Sequence, residues 1–129
     1  MSKSQTNEPI WRSRPGEMFS ATPGTESIND FIHLSEGLSN SFLITTNEGN
    51  IVVNTGMAFE APYHKKNYAQ ISSAETRYIV LTQGHVDHVG GVDVLRGEST
   101  RLVAHSGNAE HQAYDQRLAR FRAERSRMR

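Results

Sequence analysis

Three side chains within four residues, His85, Asp87 and His88, have the chemistry to bind a metal. Imidazole nitrogen and carboxylate oxygen are donors that zinc, iron and manganese accept. Gln83, two residues before His85, adds an amide oxygen, a neutral and weaker donor. Groups so close in sequence cannot all face one point from a regular helix or strand, but they can from a reversing turn. Gly84 relaxes the start of such a turn, and Gly90-Gly91 allows the chain to turn sharply and the next element to come close. A lone His is usually a surface or satisfied core residue. Two His and an Asp in four residues, after an apolar run and before Gly-Gly, point instead to a metal site.

The elements that must position this loop read as follows. Arg77-Tyr78-Ile79-Val80-Leu81-Thr82 predicts a strand of the kind buried on both faces, ending where the loop begins. Upstream, Phe31–Leu34 and Ser41–Thr46 predict strands, Asn47-Glu48-Gly49-Asn50 a turn, and Ile51–Asn54 a return strand, the latter two forming a hairpin. Thr55-Gly56 breaks the run. Glu60 to Ile71 predicts a helix with Pro62 in its first turn and Tyr63, Asn67, Tyr68 and Ile71 along one face. Downstream, Val92–Leu95 predicts a short helix and Arg101–His105 a strand. From Ala109 on the pattern is helical, with Tyr114, Leu118 and Phe121 as a narrow packing stripe. Alternating strands and helices give an α/β fold with a mixed sheet, and functional loops in such sheets gather at the carboxyl ends of strands.

Composition narrows the chemistry. The 129 residues include no cysteine, which excludes a disulfide framework, a thiolate metal site and a Cys nucleophile. The formal net charge is zero, so no global field favours nucleic acid. The end of the chain is locally basic, with six arginines from Arg117 to Arg129 against Glu110, Asp115 and Glu124; it reads as a solvated helix face, and nucleic acid is not the expected partner. No apolar run approaches the roughly 18 residues of a membrane span. The polar start, Met1 to Glu8, has no apolar signal core, so a cytoplasmic location is the expectation. No nucleophile elbow is present.

The segment from Leu81 to Gly91 resembles the signature of the metallo-β-lactamase superfamily, Thr-His-x-His-x-Asp-His-x-Gly-Gly. Asn40 to Ile44 followed by Gly49 to Gly56 is similar to the family's opening hairpin, which ends in Asp-Thr-Gly. The resemblance covers about residues 31 to 105. It implies an αβ/βα sandwich of which this chain holds the N-terminal half only. Residues 1-27 are then an irregular lead-in with Trp11 and Phe19 as anchors. Residues 28-108 are the first part of the domain, and 109-129 a basic amphipathic helix cut short. The resemblance further implies zinc, one or two ions, with iron or manganese as alternatives. Carried over by position, His85 serves the first metal, Asp87 and His88 the second, and Asp87 also orients the attacking water.

The sequence departs from the family pattern in three places. Gln83 stands where the signature has its leading His, so it is a weak or outer-sphere ligand. Asn54 replaces the Asp of the hairpin, removing a carboxylate that would support the loop. The family's later ligands, a His, a bridging Asp and a final His, have no counterpart in context. His105, ending a strand on the cleft side, is the remaining candidate ligand; His33 and His64 read as surface or loop residues. The expected activity is hydrolysis of an ester, lactone or sulfate ester of a small molecule by a metal-bound hydroxide. Two other readings stand beside it. One is a non-catalytic or incomplete half that needs its C-terminal half or a partner chain. The other is an iron-dependent redox member of the same superfamily.

Overall fold

The computed structural model describes residues 23–127; the Trp11 and Phe19 anchors lie outside them. Six strands form one sheet in chain order: β1 (Glu26–Ser27), β2 (Ile32–Ser35), β3 (Ser41–Thr46), β4 (Gly49–Val53), β5 (Thr76–Leu81) and β6 (Arg101–Ala104). The first four run antiparallel to their neighbours, while β5 and β6 join in parallel. Parallel neighbours require a crossover. Helix α1 (Ala61–Ala69) provides the first, and the short helices α2 (Val86–Val89) and α3 (Val92–Leu95) the second. The long helix α4 (Asn108–Arg127) ends the described chain. The mixed sheet and its helices match the α/β expectation.

Side chains alternate across a strand, so residues paired in register share a face. On one face run Leu43, Val52 and Ile79, each at most 1% exposed, joined by Leu81, Tyr68 of α1 and Leu95 of α3. Burying such aliphatic side chains stabilises the fold by about 1.5–3 kcal/mol each. The opposite face carries two apolar rows. Leu34, Phe42, Val53, Val80 and Val103 form one; Ile32, Ile44, Ile51 and Tyr78 form the other. These are half-buried or exposed, with Tyr78 at 39% and Val103 at 47%. The expectation that β5 is buried on both faces is therefore corrected: among the described residues, helices cover only the Ile79–Leu81 side.

Helix α1 also differs in its buried face. Tyr63 and Ile71 are exposed, and the inward residues are Ala61, His64, Asn67 and Tyr68. His33 and His64, expected at the surface, are both buried. The reason is polar pairing: His33 Nδ1 meets Ser27 Oγ at 3.0 Å, and His64 Nδ1 meets Ser35 Oγ at 2.7 Å. In α4 the stripe of Tyr114 and Phe121 is largely exposed rather than packed. The helix instead turns Asn108, Gln112, Asp115 and Leu118 inward.

Candidate metal centre

Strand β5 delivers the loop at its carboxyl end, and residues at the end of β4 hold it there. Asn54 adopts a left-handed backbone (φ 57°), a conformation that Asn tolerates better than most residues. Its side chain accepts the Thr82 backbone N–H at 3.0 Å and pairs with the Thr82 hydroxyl at 2.9 Å. The neutral amide thus keeps the support that the lost carboxylate suggested was missing. Tyr68 donates to Ser41 Oγ (2.6 Å), which donates to the Asn54 carbonyl (2.7 Å), tying this corner to the core. Thr55 grips the far side of the loop. Its backbone N–H and its hydroxyl both donate to the His88 carbonyl at 2.8 Å, and the same hydroxyl accepts the Gly91 N–H at 3.0 Å.

The loop itself is more regular than expected. His85 caps a single helical turn, Val86–Val89, from which Asp87 and His88 project. Gly90 and Gly91 have negative φ values of −62° and −95°, so no special turn conformation demands them. Gly91 is required for close approach instead: a Cβ there would fall on the Thr55 carbonyl oxygen and stand 2.5 Å from Ala61 Cβ.

These constraints bring Gln83, His85, Asp87 and His88 together. The Gln83 carbonyl oxygen accepts from His85 Nδ1, and its amide nitrogen lies 2.8 Å from His88 Nε2. Asp87 Oδ2 lies 3.3 Å from His88 Nε2 and accepts the Ser39 hydroxyl at 3.1 Å. His88 Nδ1 is buried with no hydrogen-bond partner among the described residues. If the Gln83 amide donates to His88 Nε2, that atom has its lone pair facing the cluster, and an N–H stands where a cation could. His105 is not drawn in. It is exposed, and its Nδ1 accepts the Gly107 N–H at 3.0 Å within its own loop.

Two residues that sequence reasoning did not assign also reach the centre. Ser39 lies 48 positions before Asp87, too far for any local pattern to link them. His111 comes from the first turn of α4, with its ring edge-on to His85 at a centroid separation of 4.9 Å. Beside them, a cavity of about 320 Å³ opens between the loop and α4, lined by Val86, Val89, Gln112, Asp115 and Arg122 among others.

The donor set fits a metal in pairs. A carboxylate oxygen and an imidazole nitrogen sharing a tetrahedral zinc stand about 3.4 Å apart, given Zn–ligand distances near 2.0–2.2 Å. The Asp87–His88 spacing of 3.3 Å matches. Among the described residues, however, no three His, Asp or Glu side chains close on a single point.

A family model described as the metallo-beta-lactamase superfamily matches residues 34–125. The chain belongs to the metallo-beta-lactamase superfamily. Solved structures of similar fold include a stereoselective inverting sec-alkylsulfatase, Pisa1, from Pseudomonas sp. It is 23% identical with a TM-score of 0.67, and the match covers 75% of this chain and 17% of that one. A metallo-beta-lactamase with a HARLDQ motif from Cronobacter sakazakii is 28% identical with a TM-score of 0.62, covering 70% and 37%. The metallo-beta-lactamase SMB-1, solved with mercaptoacetic acid, is 22% identical with a TM-score of 0.60, covering 69% and 37%. The chain thus spans 17 to 37% of the length of these three structures. No curated protein matches it. No helix among the described residues is long and apolar enough to cross a membrane.

Proposed function

We propose that this chain is the metal-binding half of a metal-dependent hydrolase acting on an ester, lactone or sulfate ester of a small molecule. The observation that carries the reading is the convergence of His85, Asp87 and His88 on the carboxyl end of β5, the edge where such sheets bind ligands. A divalent ion, zinc by preference, would polarise the bond to be cleaved and bring the pKa of a water to about 7. His85 and His88 would hold ions through Nε2. Asp87 would be a ligand and the acceptor of the water's proton, with Ser39 fixing one of its oxygens. Gln83 would act as a spacer between the imidazoles rather than a strong ligand. The substrate would lie in the cavity along Val86 and Val89.

A second reading has its own support. Because no three donors close on one point among the described residues, the remaining ligands would come from a C-terminal half or a partner chain. The apolar rows through Phe42, Ile44, Ile51 and Val53 would be the surface that it covers. On this reading the chain alone is an incomplete, inactive half.

Metal content of the purified chain, measured by elemental mass spectrometry after removal of loosely held ions, tests the assignment. About one equivalent or more of zinc, iron or manganese is expected, falling sharply in His85→Ala and His88→Ala. Unchanged content in both variants would sink the assignment.

A further inference from the structure

We propose that His111 of α4 is a further metal-ligating residue, paired with His85 in compensation for the imidazole that Gln83 does not supply. The proposal rests on the metal reading above and adds a ligand to it.

Geometry is the first support. Two imidazoles bound to one tetrahedral zinc at about 2.0–2.1 Å have ring centroids about 5 Å apart. The His85 and His111 centroids are 4.9 Å apart with their planes at 80°. His85 Nδ1 is committed to Gln83 Oε1, which leaves Nε2 as the ligand atom.

The environment of His111 is the second support. Its Nδ1 lies 3.9 Å from Asp115 Oδ2, one turn along α4. At this distance the carboxylate is beyond hydrogen-bond reach but sets a negative charge beside the ring, as the outer carboxylates of metal sites do. Asp115 is itself held by Arg122 at 2.9 Å.

Clearance is the third support. A Cβ at position 84 would stand 3.0 Å from His111 Nδ1 and 3.3 Å from its Cγ, so glycine inside the metal loop makes room for this ring. The short distance from the loop to α4 is thus built into both segments.

The test is a zinc titration of the purified chain by calorimetry, with the visible spectrum of the cobalt-substituted chain as a second readout. His111→Ala should weaken binding by more than about 100-fold and alter the cobalt spectrum. Asp115→Asn should weaken it by about 10-fold, as loss of an outer partner does. Adding Gln83→His to His111→Ala should restore binding, which a merely structural role for His111 would not allow. Wild-type affinity in His111→Ala, with His85→Ala still impaired, would overturn this proposal alone. A wild type that binds no zinc would overturn the hydrolase reading with it. If circular dichroism shows His111→Ala unfolded, Asp115→Asn carries the test, and unchanged affinity there overturns the proposal.

Discussion

Replacing Gly91 with alanine tests whether the His-rich loop is pinned where the structure places it. The added Cβ would meet the Thr55 carbonyl oxygen and lie 2.5 Å from Ala61 Cβ, with Thr55 C at 3.2 Å. None of these is the flexible end of a side chain. Thr55 is fixed by its bonds to His88 and Gly91, and Ala61 is fully buried at the start of α1. The clash can be relieved only by moving the loop away from α1 and stretching the 3.0 Å bond from Gly91 N–H to Thr55 Oγ1. Overpacking costs about 1–3 kcal/mol, and loss of a net hydrogen bond adds about 1 kcal/mol, so about 3 kcal/mol is expected. That corresponds to a fall in Tm of about 10–15 °C for a domain of this size. Gly97→Ala is the control, because a Cβ there meets only Thr100 Oγ1 at 3.6 Å and Glu75 Oε1 at 3.7 Å, both ordinary contacts. Urea unfolding of the two variants gives the difference directly. A Gly91→Ala midpoint indistinguishable from that of Gly97→Ala would refute the close approach of loop and helix, and the placement of His85 and His88 with it.

Two further predictions test the buried supports. Burial holds the His64 imidazole below its ordinary value of 6.5, against the smaller opposing pull of Glu60. The unfolded chain therefore takes up a proton first as the pH falls through about 6.5, and stability should decline below that by up to about 1.4 kcal/mol per unit. Above about pH 7 this term is flat. Urea midpoints between pH 5 and 8 should fall less steeply on the acid side in His64→Gln, and parallel curves would refute the assignment. Asn54→Ala should cost about 2 kcal/mol, from its left-handed backbone and the lost Thr82 bonds. Asn54→Gly should recover about half by relieving the backbone alone, so equal losses in both would show that backbone conformation contributes nothing.

Local pattern made the sheet legible. The β-branched runs at Ser41–Thr46 and Thr76–Leu81 and the turn between β3 and β4 are written in adjacent residues, and their boundaries shift by only a residue or so. The position of the His-rich loop, directly after β5, was legible for the same reason. What the sequence hid was pairing across distance. His64 looked like a surface residue because helical spacing gives only its angle on α1. What buries it is the Ser35 hydroxyl 29 positions away and the nearby Glu60 carboxylate, itself buried against the Leu38 and Met57 N–H groups. Tyr63 and Ile71 were misread for the complementary reason, since aromatic and aliphatic type alone does not say which side of a helix meets the sheet. Ser39 and His111 belong to the same class: neither lies in a motif, and each reaches the centre only because the fold brings β2–β3 and α4 to one corner.

The two departures from the family signature connect through these hidden pairs. Asn54 lost a carboxylate, yet its amide can both donate and accept, and it uses both capacities on Thr82, which begins the loop. Gln83 stands where the signature has a His, and its amide bridges His85 and His88. In each case a carboxylate or an imidazole gives way to a neutral amide, which preserves position and is a weaker donor to a metal. The Gln83 amide fills the space between His85 and His88, and the His111 ring packs edge-on to His85 from α4, so the surroundings of His85 are set from two ends of the chain.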